Sequence, residues 1–198
     1  MVHIDGVQIV EINDRALWRH WLAANHTSAK GVWLLTNKTA TGKARLSYAE
    51  AVEEALCFGW IDSKPSKYDE GRSMLYYSPR KPKSNWSALN KTRVARLLDE
   101  GLMTPAGLKM IELAQRTGTW DALNPVDALI IPDDLQVALA ENPPADVHFA
   151  AFPKSAKQGI LQWILNAKRP ETRQNRIMET ATLAAQNKRA NQYQKKQE

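Results

Sequence analysis

Apolar and polar positions follow two rhythms along this chain. From Val7 to Ile12 they partly alternate, which predicts a short strand. Asp14 then stands where a helix N-cap is expected, ahead of Leu17, Trp18, Trp21 and Leu22, whose spacing defines one helical face. The run Gly31-Val32-Trp33-Leu34-Leu35-Thr36 is short, apolar and rich in strand formers. Residues 37–45 are polar and read as a loop. Ser47-Tyr48-Ala49-Glu50 is a capping box, in which hydroxyl and carboxylate satisfy free amides at a helix start. The helix it opens carries Tyr48, Val52, Ala55 and Leu56 on one face, with Glu50, Glu53 and Glu54 in the half where the macrodipole favours anions. It stops at Cys57-Phe58-Gly59. Strands follow at 60–62 and 72–78, joined by a hairpin-type connection over 63–71 that contains Pro65, Asp69 and Gly71.

The stretch 79–87 holds Pro79 and Pro82, which lack amide donors and exclude regular structure there. A helix is predicted from Ser87 to Glu100, burying Val94, Leu97 and Leu98, with Gly101 as its stop. Thr104 as N-cap, Pro105 at the first helical position and Met103 against Leu108 predict another helix to Thr117. Trp120 is expected to close over the core. Residues 121–132 read as a linker, and everything beyond reads as helix. Leu135, Ala138 and Leu139 form one face, Phe149 and Phe152 another. A second capping box, Ser155-Ala156-Lys157-Gln158, precedes Ile160, Leu161 and Ile164; Ile177, Ala181 and Ala184 mark the last helix. The predicted fold class is α+β, a small, mostly antiparallel sheet packed with helices and followed by a helical C-terminal part. The expected divisions are an α+β domain over 1–124, a helical part over 125–186 and a frayed basic tail over 187–198.

Composition narrows the classes. A chain of 198 residues, 43% hydrophobic and 24% charged, is globular rather than disordered. No apolar run approaches the ~20 residues that span a bilayer, so no membrane insertion is expected. The N-terminus lacks the pattern of a secretory signal, and the single cysteine cannot form an internal disulfide. The expected location is the cytoplasm. The net charge of +6 is unevenly placed: 0 over 1–79, +5 over 80–116, −6 over 117–153 and +7 over 154–198. Internal pairing of acidic and basic segments accounts for that pattern. Contact with nucleic acid through the basic segments 80–96 and 168–176 is the rival reading.

Motifs for dinucleotides, P-loop phosphates, serine hydrolysis, zinc and dithiol chemistry are all absent, so no cofactor and no metal is expected. Cys57 falls at a helix C-terminus, where the dipole disfavours a thiolate, and reads as packing. The densest polar group is Arg80, Lys81, Lys83, Ser84, Asn85, Trp86, Ser87, Asn90 and Lys91, an irregular segment leading into a helix. A helix start offers amides to an anion, an arginine binds oxyanions bidentately and an indole can stack on a ring. The same residues could equally stitch strand to helix, with Trp86 in the core. The candidate ligand-binding set is Asp62, Tyr77, Arg80, Ser84, Trp86 and Asn90; no catalytic residue is assigned. Arg169, Arg173 and Arg176 form a second basic face, read as docking on the acidic segment.

Several ordered motifs carry a family resemblance: Leu46-Ser47-Tyr48 with Glu50-Ala51-Val52, Ala55 to Asp62, Ser78-Pro79-Arg80 with Ser84-Asn85-Trp86-Ser87 and Asn90, Gly101 to Gly107, and Ala167 to Arg173 with Arg176-Ile177. Over residues 15–186 the chain resembles the YdeI/OmpD-associated proteins, also described as bacteriocin-protection proteins. The resemblance implies a bacterial α+β protein with a helical C-terminal motif, connected with an outer-membrane porin and with resistance to bacteriocins or cationic antimicrobial peptides. It carries no catalytic residues. Three functions follow as expectations: a non-enzymatic binding protein of peptide or envelope-stress resistance, which is preferred; an enzyme on a small anionic substrate, with Asp62 as base and Arg80 as anion clamp; and a nucleic-acid binder. The partner expected is a small anionic ligand or another protein.

Overall fold

The computed structural model describes residues 2–4 and 6–191. It forms two compact units, Met1–Asp121 and Ala122–Glu198. The fold is α+β, and among the described residues the sheet is confined to the first unit.

The sheet of the first unit has the strand order β1-β2-β3-β5-β4. Its strands are β1 (Val2–Ile4), β2 (Val7–Glu11), β3 (Val32–Asn37), β4 (Trp60–Lys67) and β5 (Arg72–Pro79). β2 and β3 run parallel and every other neighbouring pair runs antiparallel. Side chains alternate across a strand, so the register sorts them into two faces. Val32 and Leu34 of β3, Tyr77 and Leu75 of β5 and Trp60 of β4 share the face that joins the main core. Trp33, Leu35, Met74 and Ile9 gather on the other.

Four helices complete the unit: α1 (Arg15–Asn25), α2 (Tyr48–Cys57), α3 (Ala88–Asp99) and α4 (Pro105–Thr117). The main core draws Trp18 and Leu22 from α1, Val52, Ala55 and Leu56 from α2, Val94 and Leu97 from α3, and Ile111 and Ala114 from α4. Buried indoles find acceptors: Trp18 Nε1 donates to the Ala51 carbonyl at 3.0 Å and Trp60 Nε1 to the His26 carbonyl at 3.2 Å. Leu17 and Leu98, expected inside, stand 61% and 44% exposed, because each lies at the edge of its helix's apolar stripe.

The strongest departure from the expected pattern is on α2. Glu53 and Glu54 are buried, 8% and 2% exposed. Arginines from two other helices clasp them. Arg15 reaches Glu54 at 2.6 Å and Glu53 at 3.2 Å, Arg19 reaches Glu54 at 2.7 Å, and Arg96 bonds Glu53. α1 and α3 are thus tied to α2 by charge as well as by packing. α4 crosses α2 closely, since a Cβ on Gly107 would meet the Cys57 carbonyl oxygen at 2.4 Å. The Thr104 hydroxyl donates to that same oxygen at 2.6 Å and therefore does not cap its own helix.

β4 is longer than its sequence suggests. It continues through Pro65 to Lys67, where a loop is expected. Between Asp62 and Pro65 one extra residue is bulged out, so both side chains face the same way. Proline is tolerated because β4 is an edge strand and the bulge interrupts the ladder.

The second unit is helical: α5 (Asn124–Asp127), α6 (Asp133–Ala140), α7 (Ala145–Ala151), α8 (Lys154–Leu165) and α9 (Pro170–Ala185). Leu135, Phe149, Ile160, Ile164, Ile177 and Ala181 form its core. The expected linker is ordered here, with Leu123 and Val126 buried in that core. α8 begins at Lys154 behind Pro153, so Ser155 lies inside the helix and does not cap it. The expected tail from 187 lies outside the described residues from 192 onward; before that, Ala190 is buried. Among the described residues no helix is long and apolar enough to cross a membrane.

Candidate functional site

A cavity of about 500 Å³ opens where β3, β4 and β5 pass the start of α2. Leu34, Leu75 and Pro65 line it with apolar surface; Tyr48, Asp62 and Tyr77 line it with polar groups. Local rules put each of these in place. Asp62 pairs across the strands with Tyr77, and the bulge keeps Pro65 on their side. The capping box fixes the start of α2, with Ser47 N–H and Oγ donating to Glu50 at 2.9 and 2.6 Å. Those bonds hold the Glu50 carboxyl below its ordinary range. Tyr48, the first residue of α2, donates its hydroxyl to Asp62 Oδ2 at 3.1 Å.

Tyr77 is fully buried and packs edge-on against Trp18, ring centroids 5.3 Å apart. Its hydroxyl has no hydrogen-bond partner among the described residues. Burial first, and the Asp62 charge second, push its pKa far above the usual phenol value, so it stays neutral. The Tyr48 phenol is raised by the same two causes, with Arg93 opposing. The Arg93 guanidinium lies 5.8 Å from the Tyr48 ring centroid and donates to Asn90 Oδ1 at 2.9 Å. Lys38 and Arg45 line the part of the cavity formed by the loop before α2. Lys38 Nζ is committed to the Asp69 and Glu70 carbonyls, at 2.8 and 3.0 Å. Arg45 is exposed.

Of the residues singled out from the sequence, Asp62 and Tyr77 line this cavity, while Arg80, Ser84, Trp86 and Asn90 do not. Arg80 is only 5% exposed, stacks 3.7 Å from the Trp86 ring centroid and donates to the Asn85 carbonyl. Burial pushes its pKa down to about 10, against the opposing pull of Asp62. Trp86 is buried and leans on Trp120 at 5.0 Å. Ser84 Oγ donates to the Lys81 carbonyl at 2.7 Å within a turn. The Asn90 amide meets the Ser87 hydroxyl at 3.3 Å as the cap of α3. Asn90 Oδ1 accepts from Arg93, which lies beside the Tyr48 ring. The sequence reading missed Tyr48, which it assigned to the core face of α2, and Arg45. The capping box was the available signal, since it fixes where α2 starts and so which residues stand at its mouth.

Cys57 lies outside the lining and is fully buried. Burial pushes its thiol pKa up, and the neighbouring Arg19 only partly offsets this. The basic segments have internal partners. Arg96 bonds Glu53 and Glu100, and Lys91 lies 3.7 Å from Asp121. In the second unit Arg173 grips Asp134 at 2.7 and 2.9 Å, and Arg176 lies over the Trp163 ring at 4.9 Å. Among the described residues no three His, Cys, Asp or Glu side chains form a metal-binding group.

Residues 10–110, just over half of the chain, match the family model described as Domain of unknown function (DUF8412). The chain belongs to that family. Its matched region contains the whole lining of the cavity. Residues 128–187 match the model described as Bacteriocin-protection, YdeI or OmpD-Associated. The YdeI/OmpD-associated resemblance therefore holds in the helical second unit, over less of the chain than the motifs suggest. No curated protein and no solved structure matches the chain.

Proposed function

We propose that this chain is a non-enzymatic, cytoplasmic binding protein of bacteriocin, antimicrobial-peptide or envelope-stress resistance, and that its first unit recognises a small anionic ligand in the cavity beside Tyr77. The observation that carries the binding role is Tyr77, which lines a cavity of about 500 Å³ and whose buried, neutral hydroxyl has no partner among the described residues. That volume lies within the ~300–1,000 Å³ of small-molecule sites, and a mainly apolar wall with a few placed polar groups is their usual chemistry. Two of the three charged residues in the lining, Lys38 and Arg45, are cations, which supports an anion. The link to resistance rests on the family segment at 128–187. A buried free thiol at Cys57 supports a reducing compartment.

The test is a thermal-shift screen of small organic anions on the full chain, repeated on Tyr77→Phe and Arg80→Ala. Ligands of this site raise the melting temperature of the wild type and of Arg80→Ala, and raise that of Tyr77→Phe less at the same concentration. Hits that stabilise Tyr77→Phe as well as the wild type would place binding elsewhere and sink the proposal.

A further inference from the structure

The cavity has a direction. Tyr77, Leu75 and Ser73 of β5 line it in succession, with Leu34 and Thr36 of β3 alongside. The four residue steps from Ser73 to Tyr77 cover about 13 Å, so the floor is a track and not a round hole. Its two ends differ. At one end stand Asp62 and Tyr77, direct cross-strand partners that both line the cavity. At the other, Asn37, paired with Arg72, donates its Nδ2 to the Ala44 carbonyl at 2.8 Å, and the adjoining Arg45 lines the cavity. Lys38 is nearby but holds two backbone carbonyls.

The Asp62 end presents a specific pair. Tyr77 is a donor looking for an acceptor. Asp62 receives the Tyr48 hydroxyl on Oδ2, and an ionised carboxylate has room for further donors. An anion is disfavoured there, because the charge lining that end is the Asp62 carboxylate. A group offering a carbonyl to Tyr77 and an N–H to Asp62 answers both at once, and that group is an amide. Leu34, Leu75 and Pro65 then accept an apolar body, and Arg45 accepts a negative end.

Resting on the binding role proposed above, we infer that the ligand is a short apolar peptide with a free C-terminus, lying along β5 with an amide between Asp62 and Tyr77, its side chains on Leu34 and Leu75 and its carboxylate at Arg45. At ~3.3–3.6 Å per extended residue, roughly four residues cover the track.

Titration calorimetry on the full chain tests this with four probes: acetyl-Ala-Leu-Ala-Ala as the free acid, the same peptide with a C-terminal amide, the free acid methylated at its N-terminal amide nitrogen, and octanoate as an anion of similar length with no amide. The free acid binds best. Tyr77→Phe weakens it by about fivefold, the worth of one neutral hydrogen bond. Methylation costs a similar factor in the wild type and nothing in Asp62→Ala. Arg45→Gln weakens the acid and leaves the C-terminal amide unchanged. Octanoate binding as tightly as the peptide acid, with Arg45 required for both, would overturn the peptide and keep the anion site. Binding of none of the four would overturn the cavity as a recognition site and the peptide with it.

Discussion

Replacing Glu54 by Ala should cost the first unit about 3 kcal/mol. The carboxylate is 2% exposed and accepts two charge-assisted hydrogen bonds, from Arg15 Nε at 2.6 Å and Arg19 Nη1 at 2.7 Å. Bonds of that kind contribute ~1.5–3 kcal/mol each. The lower value applies, because both arginine side chains are 34% exposed and recover water when their partner is lost. Two bonds at ~1.5 kcal/mol give about 3 kcal/mol, the low end of the ~3–5 kcal/mol measured when one partner of a buried pair is removed. Urea unfolding followed by tryptophan fluorescence reads the right unit, since six of the seven tryptophans lie in it. With a slope of about 2 kcal/mol per molar, the midpoint falls by roughly 1.5 M. A double-mutant cycle with Arg19→Met separates the pair from the cavity left by the side chain. A loss under about 1 kcal/mol, or a coupling near zero, would show that the glutamates are merely tolerated and that apolar packing alone fixes α1 on α2.

Tyr77→Phe should leave the unliganded protein as stable as before or raise its stability by about 1 kcal/mol, because it deletes a buried hydroxyl without a partner. A fall of more than that in urea unfolding would mean the hydroxyl is bonded within the protein. Gly107→Ala should destabilise by about 1–3 kcal/mol through overpacking, since the new Cβ would meet the Cys57 carbonyl oxygen at 2.4 Å. Gly159→Ala, where nothing lies within 4 Å of the new Cβ, should stabilise α8 by ~0.5–1 kcal/mol. Equal effects on the two melting temperatures would refute the close crossing of α4 over α2. Asp134 should titrate below the ordinary aspartate value, held there first by hydrogen bonds from Arg173. In the folded protein its carboxylate is therefore favoured: the stability it contributes is full above the unfolded value near ~4 and disappears as pH falls through the lower folded value. NMR titration should show the value return to ordinary in Arg173→Ala; an unchanged value would refute the pairing.

The periodic parts of the fold were legible. Val52, Ala55 and Leu56, or Ile177, Ala181 and Ala184, recur at helical spacing and are buried as that spacing requires. The sheet's mostly antiparallel character followed from short apolar runs punctuated by turn residues. Three things were not legible, each for a tertiary reason. The burial of Glu53 and Glu54 does not show in the sequence because the arginines that clasp them lie 35 to 43 positions away. β4 read as ending early because Pro65 lowers strand propensity, and only an edge position with a bulge makes it acceptable. Arg80 and Trp86 look like a recognition pair from composition, yet they recognise each other. What composition cannot convey is which polar group is already answered inside the protein. Tyr77 is distinguished from its neighbour Tyr76 by exactly one strand position, which turns it to the helix-covered face.

The extra residue in β4 separates the strand into two halves that pair with β5 in different registers. Residues 60–62 hold Asp62 in phase with Tyr77, while residues 65–67 continue toward the hairpin tip in a register of their own. A slip in the outer half is absorbed where the ladder is already broken, before it can rotate Asp62 away from the cavity. The recognition end of the strand keeps its phase on its own account, while the hairpin tip is tied to the cavity separately, through the Asp69 and Glu70 carbonyls that hold Lys38.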